Sequence, residues 1–209
     1  MSDGIHLQLI LGAALLVVAS PGPATLAIAG TSMQAGRRMG LALASGVVTG
    51  SVMWSTAAAC GFSALLLANA WVIEAIRYAG ACYLLYLAFR SGRSALTARQ
   101  IRPEGIASST FGGTYLRGVA LHLTNPKPVL FFGSLFAFAV PASASAGDLA
   151  TIVAAIAVQT AVIVHFYALL FSSPAVVRGY LKARRWFDAA FALAFGAAGL
   201  KILTAKLQT

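Results

Sequence analysis

Apolar residues fall along this chain in long unbroken blocks. They show neither the alternation of a half-buried strand nor the single stripe of a surface helix. Six blocks stand out, at roughly 5–30, 40–68, 71–89, 116–140, 149–171 and 187–204. A helix of about 20 apolar residues crosses the hydrocarbon core of a bilayer, so blocks of this length read as membrane spans. The second block is longer than one crossing needs and must tilt, bend or end early. The pattern predicts an all-α integral membrane protein with six transmembrane helices. The first block follows Met1-Ser2-Asp3-Gly4, which lacks a positive leader, and it is longer than a signal-peptide core. It is therefore expected to be a span and not a cleaved signal.

Composition sharpens this reading. The 209 residues are 59% hydrophobic and only 10% charged, with mean hydropathy +0.84. Soluble domains carry about 25% charged residues, so a soluble enzyme is excluded. The net charge of +10 is unevenly placed. Arg37 and Arg38 lie between the first two spans. Arg90, Arg93, Arg99 and Arg102 lie between the third and fourth, with Arg117 at the next edge. Arg178, Lys182, Arg184 and Arg185 lie between the fifth and sixth. The other two connections are almost free of cations. The positive-inside rule puts the basic loops in the cytoplasm and both termini outside. This accounts for the basic isoelectric point without nucleic acid, and it turns cations toward anionic membrane lipids. Cys60 and Cys82 fall inside spans and read as free, buried thiols. The histidines are scattered, with no metal-ligand spacing, and no metal or cofactor is expected.

Two short stretches interrupt the apolar blocks in the same way. "SPGPATL" holds Pro21, Gly22 and Pro23; "TNPKPVLFF" holds Asn125, Pro126, Lys127 and Pro128. Proline removes a backbone donor and clashes with the carbonyl four residues back. Each stretch is therefore expected to break its helix, in spans one and four. Backbone groups freed inside a membrane need partners in protein or in a wet cavity. Three spans precede the basic central loop and three follow it. An odd number per half makes the halves point in opposite directions, the pattern of an inverted repeat. The expected organisation is one domain over 1–209. Repeat one runs from about 5 to 90, the cytoplasmic loop from about 90 to 115, and repeat two from about 116 to 205.

Lys127 adds a charge well inside the fourth span, where insertion costs roughly 2.5–3.5 kcal/mol. Two roles are open to it: capping freed carbonyls, or pairing with a substrate carboxylate. Asn125 beside it offers amide donors and an acceptor.

The residues in these stretches carry a resemblance. "SPGPATLAIAGTSMQAGRRMGLALASGVVTG", followed by "LTNPKPVLFF", resembles the lysine exporter/homoserine–threonine resistance (LysE/RhtB) family of amino-acid exporters. The match comprises Pro21, Gly22 and Pro23, then Gly36, Gly40, Gly46 and Gly50, then Asn125, Pro126, Lys127, Phe131 and Phe132. The resemblance implies export of amino acids or their derivatives across a bacterial inner membrane, driven by the proton motive force. Two positions depart from the family pattern. Ala24 stands where the family usually has Asn, which takes an amide from the implied site. Pro128 stands where alanine is commoner.

The remaining polar residues complete the candidate set. His122 and His165 lie within spans and are proton-coupling candidates, because histidine titrates near physiological pH. Glu74, near the outer end of the third span, is a third; it sits three residues before Arg77, at ion-pair spacing. Gln159, mid-span in an apolar helix, is a candidate contact for a zwitterion. Ser45, Thr49 and Thr56 share one face of the second span, and either line a path or satisfy themselves on backbone carbonyls or across helices. Gly36/Gly40 and Gly46/Gly50 read as close-packing pairs, as do Ala192, Gly196 and Gly199.

The substrate-binding set is thus Pro21, Gly22, Pro23, Asn125, Pro126, Lys127 and Gln159, with no catalytic residue. The expected function is secondary active export of a small amino acid or derivative by alternating access, coupled to protons. A homodimer is compatible with these residues, but nothing in them requires it. Two other classes are weighed against transport. A scaffold or sensor would not need matched helix breaks. An intramembrane hydrolase is suggested only by "GFSA" at Gly61–Ala64, which lacks the final glycine and a supporting base.

Overall fold

A computed structural model of the chain describes residues 7–20, 22–66, 70–97, 104–141 and 143–204. Among the described residues there are seven helices and no strand: α1 (Leu7–Ala19), α2 (Pro23–Leu66), α3 (Ala70–Leu96), α4 (Phe111–Leu123), α5 (Pro126–Ala139), α6 (Ala146–Leu170) and α7 (Pro174–Thr204). Three segments are helices long and apolar enough to cross a membrane: Pro23–Gly61, Ala146–Leu170 and Ala175–Thr204. Leu7–Ala19 and Lys127–Phe136 are apolar but shorter. Pro21 lies outside the described residues, as do the side chains of Glu74 and Ser63.

The connection expected between the first two apolar blocks is not a loop. Helix α2 runs through Arg37 and Arg38 and turns at Gly36, whose φ of 83° and ψ of 165° are not helical. A side chain on that backbone would be strained, so glycine suits the corner. The turn is sharp. A Cβ on Gly40 would collide with Ser32 Oγ. In one straight helix those two positions would stand about 12 Å apart. Gly40 therefore packs as expected, whereas a Cβ on Gly36 would meet nothing within 4 Å, and Gly36 serves as a corner.

The other basic stretches are also helical. Helix α3 continues past Arg90 and Arg93, and α7 begins at Pro174, so Arg178 to Arg185 form its first turns. Lysine and arginine are good helix formers, so cations mark a membrane side without marking a loop. Helix α6 starts at a capping box. Asp148 N–H donates to Ser145 Oγ and Ser145 N–H donates to Asp148 Oδ2, both at 3.1 Å.

Helix α2 packs most extensively on α4 and α6, and α3 on α7. The α2–α4 crossing is set by two glycines. A Cβ on Gly46 would strike Tyr115 O, and one on Gly118 would strike Leu43 O. Apolar side chains from α1, α2, α3, α5, α6 and α7 form the largest core among the described residues, around Phe132, Phe136, Ile156 and Phe195. Gly199 and Gly196 face Leu85 and Ala88 across α3–α7. Cys60 and Cys82 are free but exposed, which corrects the expectation that they are buried. Both sit on outward faces of apolar helices.

One polar tie joins α3 to α7. Ser94 Oγ donates to Asp188 Oδ2 at 2.7 Å, and Arg184 reaches both groups at 2.7 Å and 3.4 Å. Asp188 is 3% exposed. Removing one partner of a buried ion pair leaves the other charge without compensation, at about 3 kcal/mol. Asp188→Ala is expected to lower the melting temperature in detergent by several degrees. Arg184→Met with Asp188→Leu is expected to cost less than Asp188→Ala alone.

Candidate functional site

Two helix ends meet inside the bundle. Helix α1 stops at Ala19, and Ser20 closes its last turn. Ser20 N–H donates to Leu16 O at 3.1 Å, and Ser20 Oγ to Val17 O at 2.9 Å. The carbonyls of Ala19 and Ser20 then have no helical partner. Tyr167 of α6 donates its hydroxyl to Ala19 O at 3.1 Å. Lys127 of α5 reaches Ser20 O at 3.4 Å and makes a short contact with Ser20 Oγ. Its ammonium thus caps the negative end of the α1 dipole, the first of the two roles left open above.

The second break lies between α4 and α5. Thr124 and Asn125 close α4, their N–H groups donating to Ala120 O at 2.9 Å and His122 O at 3.3 Å. Asn125 then caps α5, its Oδ1 accepting from Lys127 N–H at 3.0 Å. Pro126 and Pro128 fall in the first turn of α5, where no N–H donor is needed. Pro23 likewise opens α2. Sequence reasoning expects prolines that strip carbonyls of their donors. Here Pro23, Pro126 and Pro128 start the second helix of each pair, and the carbonyls freed at the end of α1 are met by Tyr167 and Lys127.

A cavity of about 50 Å³ opens where the breaks meet. Ser20, Gly22, Asn125 and Lys127 border it, and a Cβ on Gly22 would touch Lys127 Nζ in ordinary contact at 3.6 Å. His122 of α4, Thr25 and Ser51 of α2 and Thr160 of α6 add to its polar lining, and Val47, Phe131 and Phe132 supply apolar walls. Both ring nitrogens of His122 and the Thr160 hydroxyl are buried without a hydrogen-bond partner. No Asp or Glu lines the cavity among the described residues. A second, apolar cavity of about 420 Å³ lies between α1, α3, α5 and α7 and shares Val17 and Phe131 with the first.

Gly22, Asn125, Lys127 and His122 are therefore brought together. Gln159 and His165 are placed elsewhere. Gln159 Nε2 donates to Leu11 O at 3.0 Å and so ties α6 to α1. His165 Nδ1 lies 2.8 Å from Ala161 O and must carry the proton, because a carbonyl only accepts. When the ring is neutral, its Nε2 accepts from Ser45 Oγ at 3.0 Å. Thr49 Oγ1 donates to Ser45 O at 3.2 Å and accepts from Tyr115 OH at 2.9 Å. Ser45 and Thr49 thus take the self-satisfied option rather than the path-lining one.

Sequence reasoning misses Ser20, Ser51, Thr160 and Tyr167. Ser20 directly precedes the first proline motif, and Thr160 lies at four-residue spacing from Ile156 and Val164 on the buried face of α6. Tyr167→Phe is expected to lower transport by roughly fivefold, the worth of one hydrogen bond of about 1 kcal/mol. Initial efflux rates in vesicles, normalised to protein, check this.

A family model described as LysE type translocator matches residues 15–206. The chain belongs to that family. It is thus a membrane transporter of the LysE/RhtB type, in a family of transporters and not of enzymes. The threonine efflux protein of Salmonella typhi is 25% identical over 194 residues, covering 92% of this chain and 94% of its own. That of Escherichia coli (strain K12) is 26% identical with the same coverage. The leucine efflux protein of Enterobacter sp. (strain 638) is 31% identical over 173 residues, covering 82% of this chain and 81% of its own. No solved structure matches the chain.

Proposed function

We propose that this translocator exports a small amino acid with an uncharged side chain from the bacterial cytoplasm, in exchange for protons. The observation that carries the reading is the cavity at the two helix breaks, where, among the described residues, Lys127 is the only lining cation and no acidic group lines the wall. An ammonium at membrane depth is costly, and the carbonyl and hydroxyl of Ser20 are neutral partners. A substrate carboxylate supplies the missing countercharge. The absence of a lining acid disfavours a cationic side chain. Relatives named for threonine and for leucine efflux fit this class.

Transport follows by alternating access. Six spans in two inverted repeats, about 5–90 and 116–205, each start with a broken helix. That α1 and α4 are each followed by a break and then a second helix supports the repeat. One half rocks against the other around the cavity. Both termini lie outside, because the cations of α3, α7 and the Gly36 corner then face the cytoplasm.

The test is efflux from cells loaded with threonine or leucine as dipeptides, with and without an uncoupler. Faster efflux of one amino acid, abolished by the uncoupler, supports the proposal. No accelerated efflux of any amino acid, with the protein verified in the membrane, overturns it.

A further inference from the structure

The cavity has an end that Lys127 does not serve. His122 is only 8% exposed and Thr160 1%, both line the cavity, and three of their polar atoms have no partner. Buried polar atoms are almost always paired, and leaving them unpaired destabilises a fold. Three such atoms beside one cavity mark a place where a ligand completes the bonding. Packing deliberately admits the ring: a Cβ on Gly50 would come within 2.8 Å of His122 Cβ.

The chemistry of the missing ligand is restricted. A neutral imidazole offers one donor and one acceptor nitrogen, and a threonine hydroxyl can do either. The cavity already holds the ammonium of Lys127, and among the described residues no carboxylate of the lining balances a second cation. His122 is therefore best placed as a neutral acceptor. Its natural complement in a zwitterion whose carboxylate faces Lys127 is the other end, the α-ammonium.

We propose that His122 and Thr160 form the subsite for the substrate's α-ammonium group, and that an incoming proton competes for the same ring nitrogen. This rests on the reading that the Lys127 cavity binds substrate. A protonated imidazole has two donors and no acceptor, so it cannot receive an ammonium. Proton and substrate then exclude each other at one atom, which is the requirement for exchange in opposite directions. Helices α2, α5 and α6 line the cavity around His122. Lys127 of α5 is the only other titratable group facing it among the described residues; α2 offers Thr25 and Ser51, and α6 offers Thr160.

The experiment is equilibrium binding to the full-length protein in detergent or lipid. Probes are labelled leucine and threonine, with the corresponding 2-hydroxy acids, which keep the carboxylate and lack the ammonium, as competitors. His122→Leu is expected to weaken amino-acid binding about tenfold or more and to leave hydroxy-acid binding within about twofold. Wild-type affinity for the amino acid is expected to fall as the pH is lowered and the ring takes up a proton, while that for the hydroxy acid stays level. His122→Asn, which keeps a neutral acceptor, is expected to weaken binding less than His122→Leu and to abolish the pH dependence. It also carries the test if His122→Leu does not fold.

Equal weakening of both probes by His122→Leu, or weakening of neither, overturns the subsite. So does an unchanged pH dependence in His122→Asn. Lys127→Met separates the two levels. If it weakens both probes while His122→Leu weakens neither, the subsite alone fails. If Lys127→Met leaves both affinities intact, or the wild type binds neither probe, the reading of the cavity itself fails and the subsite with it.

Discussion

Lys127→Met is expected to reduce efflux about 100-fold while the protein remains at or above its normal level in the membrane. Two consequences of the substitution act in opposite directions. Removing a charge from the apolar helix lifts an insertion cost of roughly 2.5–3.5 kcal/mol, so abundance does not fall. Removing the ammonium takes the donor from Ser20 O and Ser20 Oγ and the countercharge from the proposed carboxylate. Hydrogen bonds to charged groups are worth about 1.5–3 kcal/mol each, and each 1.4 kcal/mol is about tenfold. Lys127→Arg is expected to rescue poorly. The guanidinium is planar and longer, and it does not place a compact point charge where the ammonium sits. Efflux rate and membrane abundance, measured on the same cells, check both halves of the expectation. Lost abundance with normal specific activity would show that the lysine serves folding alone.

Gly46→Leu is expected to give the largest loss of folded protein. The crossing of α2 and α4 is close because neither Gly46 nor Gly118 has a side chain. A Cβ at Gly46 meets Tyr115 O, Val119 N and Gly118 Cα, all of them backbone atoms that cannot step aside. Overpacking a tight contact costs about 1–3 kcal/mol even where side chains can adjust, so a leucine here costs about 3 kcal/mol or more. Helix–helix contacts through small residues hold membrane bundles together in place of a hydrophobic effect. The damage also reaches the site, because α2 and α4 carry Ser51 and His122. Gly118→Ala acts on the same crossing, and the two changes together are expected to cost less than their sum. Gly179→Ala is the control. Nothing lies within 4 Å of that position, and a helical alanine is favourable by up to about 1 kcal/mol. Thermal melts of detergent-solubilised protein rank the three variants.

The helix breaks are legible because Pro-x-Pro inside an apolar block has few other meanings. Asn125 and Lys127 follow from them, since a cap and a charge beside a break need explanation. The Gly36 corner is harder to read. It depends on Ser32 meeting Gly40, a tertiary contact, and one positive φ leaves no mark among neighbouring glycines. Arg178 to Arg185 look like a loop because charge reports the membrane side, and only Pro174 hints at a helix start. Thr160 is recoverable from periodicity. Ile152, Ile156, Thr160, Val164 and Ala168 form the buried face of α6. Gln159 draws the eye for its polarity, yet it stands one position off that face. Tyr167 and Ser20 acquire their roles only when α6 and the end of α1 are side by side.

The most direct measurement is substrate protection of a cysteine placed in the cavity. Cys60 and Cys82 are exposed, so Ser51→Cys is made together with Cys60→Ser and Cys82→Ser. Ser51 is buried and lines the cavity. Vesicles carrying this variant are treated with a small thiol reagent, with and without the exported amino acid. The expected result is that the amino acid, at about ten times its dissociation constant, slows labelling about tenfold, and that Lys127→Met removes the protection. Unchanged labelling in vesicles that still transport the amino acid would mean that the substrate binds elsewhere and that the two helix breaks do not meet around it.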